Sequence, residues 1–434
     1  MIKISQAKSA HKRVFLFLYF SVPLAAVLSF FLLNSGILSD PLYALSAAGG
    51  IFGFTWLMFQ FILSSRHRAV EWGIGLDRLL KLHRIMGVVI VLLLLPHVIV
   101  RLIVYPLSLQ ILFGSLAFVG LIGVGIFSSI FFTSPRFGLS YEKVKLLHNG
   151  TFLLSLLAAL HIALSSAAGG VSSLSVYFLA LGLLGLGAYV YRKIASPKKA
   201  RAHPWTVKSV KEIADDHVEV HLAGPSGLRH SRLLDQRLPG QFAYFRFFKE
   251  GLNEEHPFTI SSYGKAGLLS FTAKKVGDFT SRLPAVSPGD TAAVEGPFGV
   301  FSYRAMPDAA EKPLVAIVGG IGITPFLAMF QALRLEPEEK RPPKALLYWA
   351  ARTPEYFVHR SFFEEFENEW GDFSFHPSTG LLDMERLYRQ IVQAGAEEGN
   401  FFLCGPPKMM ETVSRSLRAH GVEKRRIITE RFSV

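Results

Sequence analysis

The chain has 434 residues, half of them hydrophobic, and a positive mean hydropathy, which is more apolar material than one soluble domain of ordinary composition holds. Its net charge of +13 is unevenly placed: residues 1–201 hold 18 Lys/Arg against 4 Asp/Glu, and the remainder holds 28 against 29. A basic excess confined to the flanks of apolar segments reports membrane topology and excludes nucleic acid as a partner.

Apolar runs of about twenty residues, the length that crosses a ~30 Å hydrocarbon core, predict six helices over 14–33, 42–63, 83–104, 111–132, 148–167 and 174–194. The first run is too long for a signal peptide and no A-x-A site follows it, so it is expected to be retained. Basic residues gather before the first helix (Lys3, Lys8, Lys12, Arg13), between the second and third (Arg66, Arg68, Arg78, Lys81), between the fourth and fifth (Arg136, Lys143, Lys145) and after the sixth (Arg192, Lys193, Lys198, Lys199). The opposite loops, around 34–41, 106–110 and 165–173, hold no Lys or Arg. Both termini are therefore expected in the cytoplasm, with the chain a multi-pass protein of the plasma (inner) membrane. The sole cysteine, Cys404, excludes an intramolecular disulfide.

Four of the 14 histidines fall in the apolar helices: His83 and His97 in the third, His148 and His161 in the fifth. A ligating side chain in a bilayer needs a partner. At 1.5 Å per residue the first two lie about 21 Å apart along their helix and the second two about 19.5 Å, so the pairs match in depth. Facing imidazoles at two depths suit two bis-His haems stacked across the membrane. Four histidines hydrogen-bonded separately between helices are the alternative, favoured for any single one but not for two pairs at matching depth, and a non-haem metal lacks acidic or thiol ligands on these helices. The geometry does not close on ideal helices: 14 residues return to within about 40° of the starting face, whereas 13 end about 140° away. The fifth helix must tighten, kink or present its ligands at different rotations, and Pro96 is expected to bend the third. Arg101, four residues after His97, is the one cation well inside an apolar run, about 6 Å further along the helix.

After a polar linker, 195–204, the pattern becomes alternating strands and helices with frequent Gly and Pro. A β-rich segment over 205–308 carries His256-Pro257-Phe258-Thr259-Ile260-Ser261-Ser262, whose hydroxyls and amides suit a flavin ring. Lys274 and the turn Gly277-Asp278-Phe279-Thr280 suit a pyrophosphate. Each alone is also compatible with an ordinary strand or turn. In the last segment, 309–434, the buried-strand pattern 314–318 runs into Gly319-Gly320-Ile321-Gly322-Ile323-Thr324-Pro325, where glycines admit a pyrophosphate to a helix N-terminus. Strand 345–351 ends before Arg352, where a 2′-phosphate lies if NADPH is bound, and strand 400–403 ends at Cys404-Gly405-Pro406-Pro407. This alternation predicts a parallel doubly wound sheet with its ligand at the strand carboxyl ends.

In their order, these motifs resemble the NADPH oxidase and ferric reductase transmembrane family, and 205–434 resembles the ferredoxin-NADP reductase superfamily. The resemblance implies a six-helix transmembrane bundle over 1–194, an antiparallel FAD-binding β-barrel and an α/β parallel-sheet NAD(P)H-binding domain. It implies FAD at His256–Ser262, NADPH or NADH at Gly320–Thr324, Cys404 beside the nicotinamide, and two b-type haems on His83 with His148 and His97 with His161. Thr259, Cys404, Phe432 and Arg101 are the expected catalytic set, with Phe432 covering the flavin, although here Ser433 and Val434 follow that aromatic residue. The implied activity is electron transfer from NAD(P)H to an external acceptor, with dioxygen giving superoxide the first expectation and ferric or cupric chelates the alternative. A membrane electron supplier to a partner protein or quinone is a third reading, but no obligate protein partner is implied. No EF-hand loop precedes the first helix, so calcium control is not expected.

Overall fold

The computed structural model describes residues 2–133, 141–167, 172–225, 237–264 and 267–431. The chain forms two compact units, Lys8–Ala195 and Ser196–Val434, the latter joined by the first seven residues.

The first unit is helical: α1 (Ile2–Leu33), α2 (Pro41–Leu63), the short α3 (Arg68–Glu71), α4 (Leu76–Val104), α5 (Leu109–Thr133), α6 (Tyr141–Asn149), α7 (Thr151–Ala167) and α8 (Ser175–Val190). Among the described residues six segments are long and apolar enough to cross a bilayer. Asp40 starts α2 by accepting from the Tyr43 amide, with Pro41 in the first turn where its missing N–H costs nothing. α4 runs through Pro96 as one element.

The run expected as a single helix over 148–167 is two helices. The Gly150 amide donates to Leu147 O (2.9 Å), a tighter turn than the α-helix makes, and a Cβ on Gly150 would meet that same oxygen at 2.9 Å. The Thr151 hydroxyl donates to His148 O (2.7 Å) across the break. His148 thus belongs to α6 and His161 to α7, which removes the 140° phase conflict. The stretch read as a linker is also largely helical: α8 continues through a π-helical turn, Tyr191–Ala195, into α9 (Ser196–Ala202).

In the second unit a six-stranded antiparallel sheet has the order β4-β3-β6-β1-β2-β5, formed by β1 (Trp205–Ala214), β2 (His217–Ala223), β3 (Phe242–Phe247), β4 (His256–Thr259), β5 (Leu268–Lys274) and β6 (Thr291–Phe298). Just beyond β4 the Ser261 amide donates to Ser270 O on β5 (2.8 Å), so the two outer strands meet and close a barrel. Inward residues such as Trp205, Val220, Phe245, Phe247 and Phe271 fill it. The short α10 (Asp278–Arg282) lies between β5 and β6.

A five-stranded parallel sheet follows, in the order β11-β10-β7-β8-β9, from β7 (Leu314–Gly319), β8 (Ala345–Ala351), β9 (Phe373–Thr379), β10 (Asn400–Cys404) and β11 (Ile427–Glu430). It alternates with α11 (Thr324–Leu335), α12 (Arg360–Glu369), α13 (Met384–Gln393) and α14 (Pro407–Ala419), and an apolar cluster covers each face. The chain steps from β7 outward to β9 and returns to the other side of β7 as β10, so a topological switch point lies between β7 and β10.

Candidate functional site

The helical unit brings the four histidines together as two pairs. The rings of His83 and His148 have centroids 5.9 Å apart, and those of His97 and His161 are also 5.9 Å apart. Two imidazoles ligating one metal ion at about 2 Å each place their centroids roughly 6 Å apart, whereas rings hydrogen-bonded to each other approach to about 5 Å. The spacing therefore fits a shared metal better than a direct hydrogen bond. Among the described residues no cluster of three or more His, Cys, Asp or Glu could hold a metal ion, so each pair offers two imidazole donors.

The outer nitrogens are positioned by neighbours that sequence patterns did not reveal. His97 Nδ1 donates to Ser46 O (2.7 Å), and His161 Nδ1 donates to Gln110 O (2.6 Å). His148 Nδ1 lies 3.3 Å from the Ser128 hydroxyl. A carbonyl on Nδ1 fixes the tautomer in which Nε2 presents its lone pair to a metal. The fourth ring, His83, has no hydrogen-bond partner at Nδ1 among the described residues. Glycine makes room for two of the rings: a Cβ on Gly50 would lie 2.8 Å from the His97 ring, and one on Gly114 would lie 2.8 Å from His161 Nδ1. The signal was present in the sequence as Ser46, Gly49, Gly50 and Gly53 along one face of α2, a small-residue seam.

Arg101, one turn beyond His97, lies with its guanidinium 4.4 Å from the Tyr43 ring centroid and 5.1 Å from that of Tyr105. Its Nε has no hydrogen-bond partner among the described residues. The Asp40 carboxylate at this end accepts instead from the Tyr105 hydroxyl (3.1 Å) and the Tyr43 amide (3.1 Å).

In the barrel the expected flavin and pyrophosphate residues converge. The His256 ring stacks on Phe279 (3.9 Å, 26°), joining β4 to the turn that holds Gly277 and Thr280. Phe258 stacks on Phe271 (4.5 Å) inside the barrel, Thr259 is buried, and Pro257 is exposed. Several polar groups are already engaged. Ser261 Oγ pairs with Ser270 Oγ (3.2 Å), and Ser262 Oγ accepts from the Ser270 amide (2.8 Å). The Thr280 hydroxyl accepts from the amides of Val276 and Gly277 (3.1 Å each). Lys274 is bound to Asp216 (3.1 Å) and lies 4.9 Å from the Tyr356 ring, so its charge is not free as expected from the sequence. Asp216 was missed because its partner comes from a neighbouring strand rather than from sequence proximity.

At the switch point two turns pack backbone to backbone. A Cβ on Gly322 would meet Cys404 O at 2.4 Å, and one on Gly405 would meet the Gly319 amide at 2.8 Å. Gly320 adopts a positive φ of 54° with open space beside its Cα, and its carbonyl accepts from the Trp349 indole (3.0 Å). Thr324 is buried at the start of α11, Pro406 is exposed, and Arg352 is exposed at the carboxyl end of β8. The Tyr263 amide donates to Gln331 of α11 (2.7 Å), which ties the segment after β4 to the nucleotide-type unit. Cys404 is fully buried in the sheet core, and burial, followed by the nearby Glu430 carboxylate, pushes its thiol pKa up. Cys404 therefore meets the glycine turn with its backbone carbonyl while its sulfur lies in the sheet core. Phe432 lies outside the described residues.

Residues 49–159 match the family of the ferric reductase like transmembrane component, and 316–415 match the oxidoreductase NAD-binding domain. The chain joins a ferric reductase-like membrane component to a reductase. His83, His97 and His148 fall within the first match and His161 just beyond it. The second match spans the glycine turn, Arg352 and Cys404-Gly405-Pro406, while the 256–280 motifs lie outside both. The toluate 1,2-dioxygenase electron transfer component of Pseudomonas putida is 28% identical, over 45% of this chain and 59% of its own length. NADH-cytochrome b5 reductase 2 of Mycosarcoma maydis is 26% identical, over 38% and 50%. The chain thus spans between half and three-fifths of these relatives. Among solved structures, the Amycolatopsis cytochrome P450 reductase GcoB has a TM-score of 0.44 at 24% identity, covering 53% of this chain and 69% of that one.

Proposed function

We propose that the chain is a transmembrane oxidoreductase that takes electrons from cytoplasmic NAD(P)H and delivers them to an acceptor on the opposite face of the plasma (inner) membrane, with both termini cytoplasmic. The observation that carries this reading is the two histidine pairs at equal separation, set about four helical turns apart on α4, in a chain that also carries an NAD-binding domain. When bound, FAD supplies the exchange of one hydride for two single electrons, and two b-type haems supply one-electron sites within the bilayer.

The chain's own residues do the positioning. His83 with His148 would hold the inner haem and His97 with His161 the outer one, the Nε2 atoms of His97 and His161 being directed by the carbonyls on Nδ1. His256–Ser262 and the Gly277–Thr280 turn would hold FAD, with the hydroxyls of Ser261, Ser262 and Thr280 already engaged inside the barrel and its turn. Gly319, Gly320 and Gly322 with the N-terminus of α11 hold the NAD(P)H pyrophosphate, and Gly405-Pro406 borders the nicotinamide. Phe432 is assigned the flavin-covering role by resemblance.

Two imidazoles per haem would leave no open position for an acceptor, so the final transfer would be outer-sphere. Dioxygen, giving superoxide, is the first assignment. The Arg101 guanidinium, held by two rings rather than by a carboxylate, favours a second one, an anionic ferric or cupric chelate. Turnover of the purified protein with dioxygen and with a ferric chelate, each with and without superoxide dismutase, separates them. Chelate reduction abolished by the dismutase identifies dioxygen as the acceptor, and chelate reduction unaffected by it identifies the chelate.

A further inference from the structure

α2 and α4 run antiparallel, and the contact between Ser46 and His97 sets their register. Moving fourteen residues along each helix, two heptads in opposite directions, brings Gln60 opposite His83. The Gln60 carbonyl does lie beside that ring, as the Ser46 carbonyl lies beside His97. The two positions differ in what their side chains do. Ser46 Oγ is engaged, 3.2 Å from His97 Nδ1 and 3.4 Å from His97 O. The Gln60 carboxamide is not: the residue is only 8% exposed, and neither Oε1 nor Nε2 has a hydrogen-bond partner among the described residues. The residues flanking it on α2, Trp56, Phe59 and Leu63, belong to an apolar cluster with Tyr19, Leu79 and Met86. An amide enclosed in such a place is strongly disfavoured unless it meets a partner.

His83 Nδ1 is the matching orphan. Among the described residues it is a buried nitrogen without a hydrogen-bond partner, unlike Nδ1 of the other three rings. We propose that Gln60 is the positioning residue for His83, its carboxamide oxygen accepting the Nδ1–H of the imidazole. The inference rests on the haem reading above and goes beyond it, because it assigns the inner haem's tuning to one uncharged side chain. An acceptor on Nδ1 makes the ligating Nε2 more basic and stabilises the oxidised metal. The inner and outer sites then differ in kind, the outer ring being held by a fixed backbone carbonyl and the inner one by a side chain that substitution can change.

The test is a spectroelectrochemical titration of the full-length purified protein, with the inner haem identified as the signal lost in His83→Leu. Gln60→Leu removes the acceptor and is expected to raise the midpoint potential of the inner haem alone. Gln60→Glu strengthens the acceptor and is expected to lower it, again with the outer haem unmoved. Opposite shifts are a signature that a purely structural role does not produce. Unchanged potentials in both variants overturn the proposal. So does a downward shift in both, which would mean that the amide donates to the haem edge instead. If Gln60→Leu does not retain the inner haem, Gln60→Met keeps the side chain's length without its acceptor and is read in the same way against Gln60→Glu. A wild-type protein without haem overturns the underlying reading, whereas wild-type haem content with unshifted potentials overturns this inference alone.

Discussion

Arg352 stands exposed where β8 ends, one strand away from the glycine turn after β7. In that position a guanidinium can contact a 2′-phosphate, and a charge-assisted contact is worth roughly 1.5 to 3 kcal/mol, or about ten- to 150-fold in preference. Arg352→Ala is expected to lower the NADPH/NADH ratio of kcat/KM by such a factor, and an unmoved ratio would assign the phosphate to another residue. At the far end of the chain's electron path, Arg101→Leu is expected to slow acceptor reduction while both haems stay bound, with reduced haem accumulating in stopped-flow spectra. A mutant with wild-type haem reduction and acceptor rate would make Arg101 only a membrane anchor. Cys404 gives a third residue-scale expectation. As the sole cysteine, fully buried and with its thiol pKa raised by burial, it should resist a maleimide at neutral pH and react once the protein is unfolded. Fast labelling of the native protein would place the sulfur at the surface instead.

The elements carry the haem reading through their glycines. Gly114→Val on α5 drives a side chain into the His161 ring and should cost outer haem affinity by roughly ten- to 100-fold while the inner haem stays bound. Gly182→Ala on α8 meets open space and serves as the control. Equal haem content in both variants would mean that the ring tolerates displacement. Much at this scale was legible in the sequence. Hydrophobic length located the membrane helices, the histidine spacing located the pairs, and the run of strands and glycines located the parallel sheet and its switch point. What was not legible came from tertiary contact. The break at Gly150 arises from one tight turn inside an apolar run, and neither length nor periodicity marks it. The carbonyls of Ser46 and Gln110 carry no side-chain signal at all. Lys274 and the serines after β4 read as ligand groups in isolation, yet the barrel pairs them with Asp216 and Ser270.

At the scale of the whole molecule the charges divide the chain as the membrane would. Its helical part is strongly basic and its α/β part nearly neutral. Outward electron movement against a negative cytoplasm gains roughly 2.3 kcal/mol per electron per 100 mV, so turnover is expected to be electrogenic. The α/β unit also has a defined pH response. His217 is buried and His359 and His376 half-buried, with pKa values below the usual 6.5, desolvation being the main cause in each case. Neutral in the fold and able to charge when unfolded, they contribute stability that is complete above 6.5 and is lost as the pH falls below it. The melting temperature of this unit should therefore fall between pH 7.5 and 5.5, and a flat profile would show these rings to be solvated. The central claim, that paired histidines hold two haems across the bilayer, is tested most directly by counting haem per chain in the purified wild type and in His83→Leu and His97→Leu. Two low-spin haems in the wild type and one in each variant is the predicted result; a wild-type content near one or none, or spectra unchanged in both variants, would contradict it.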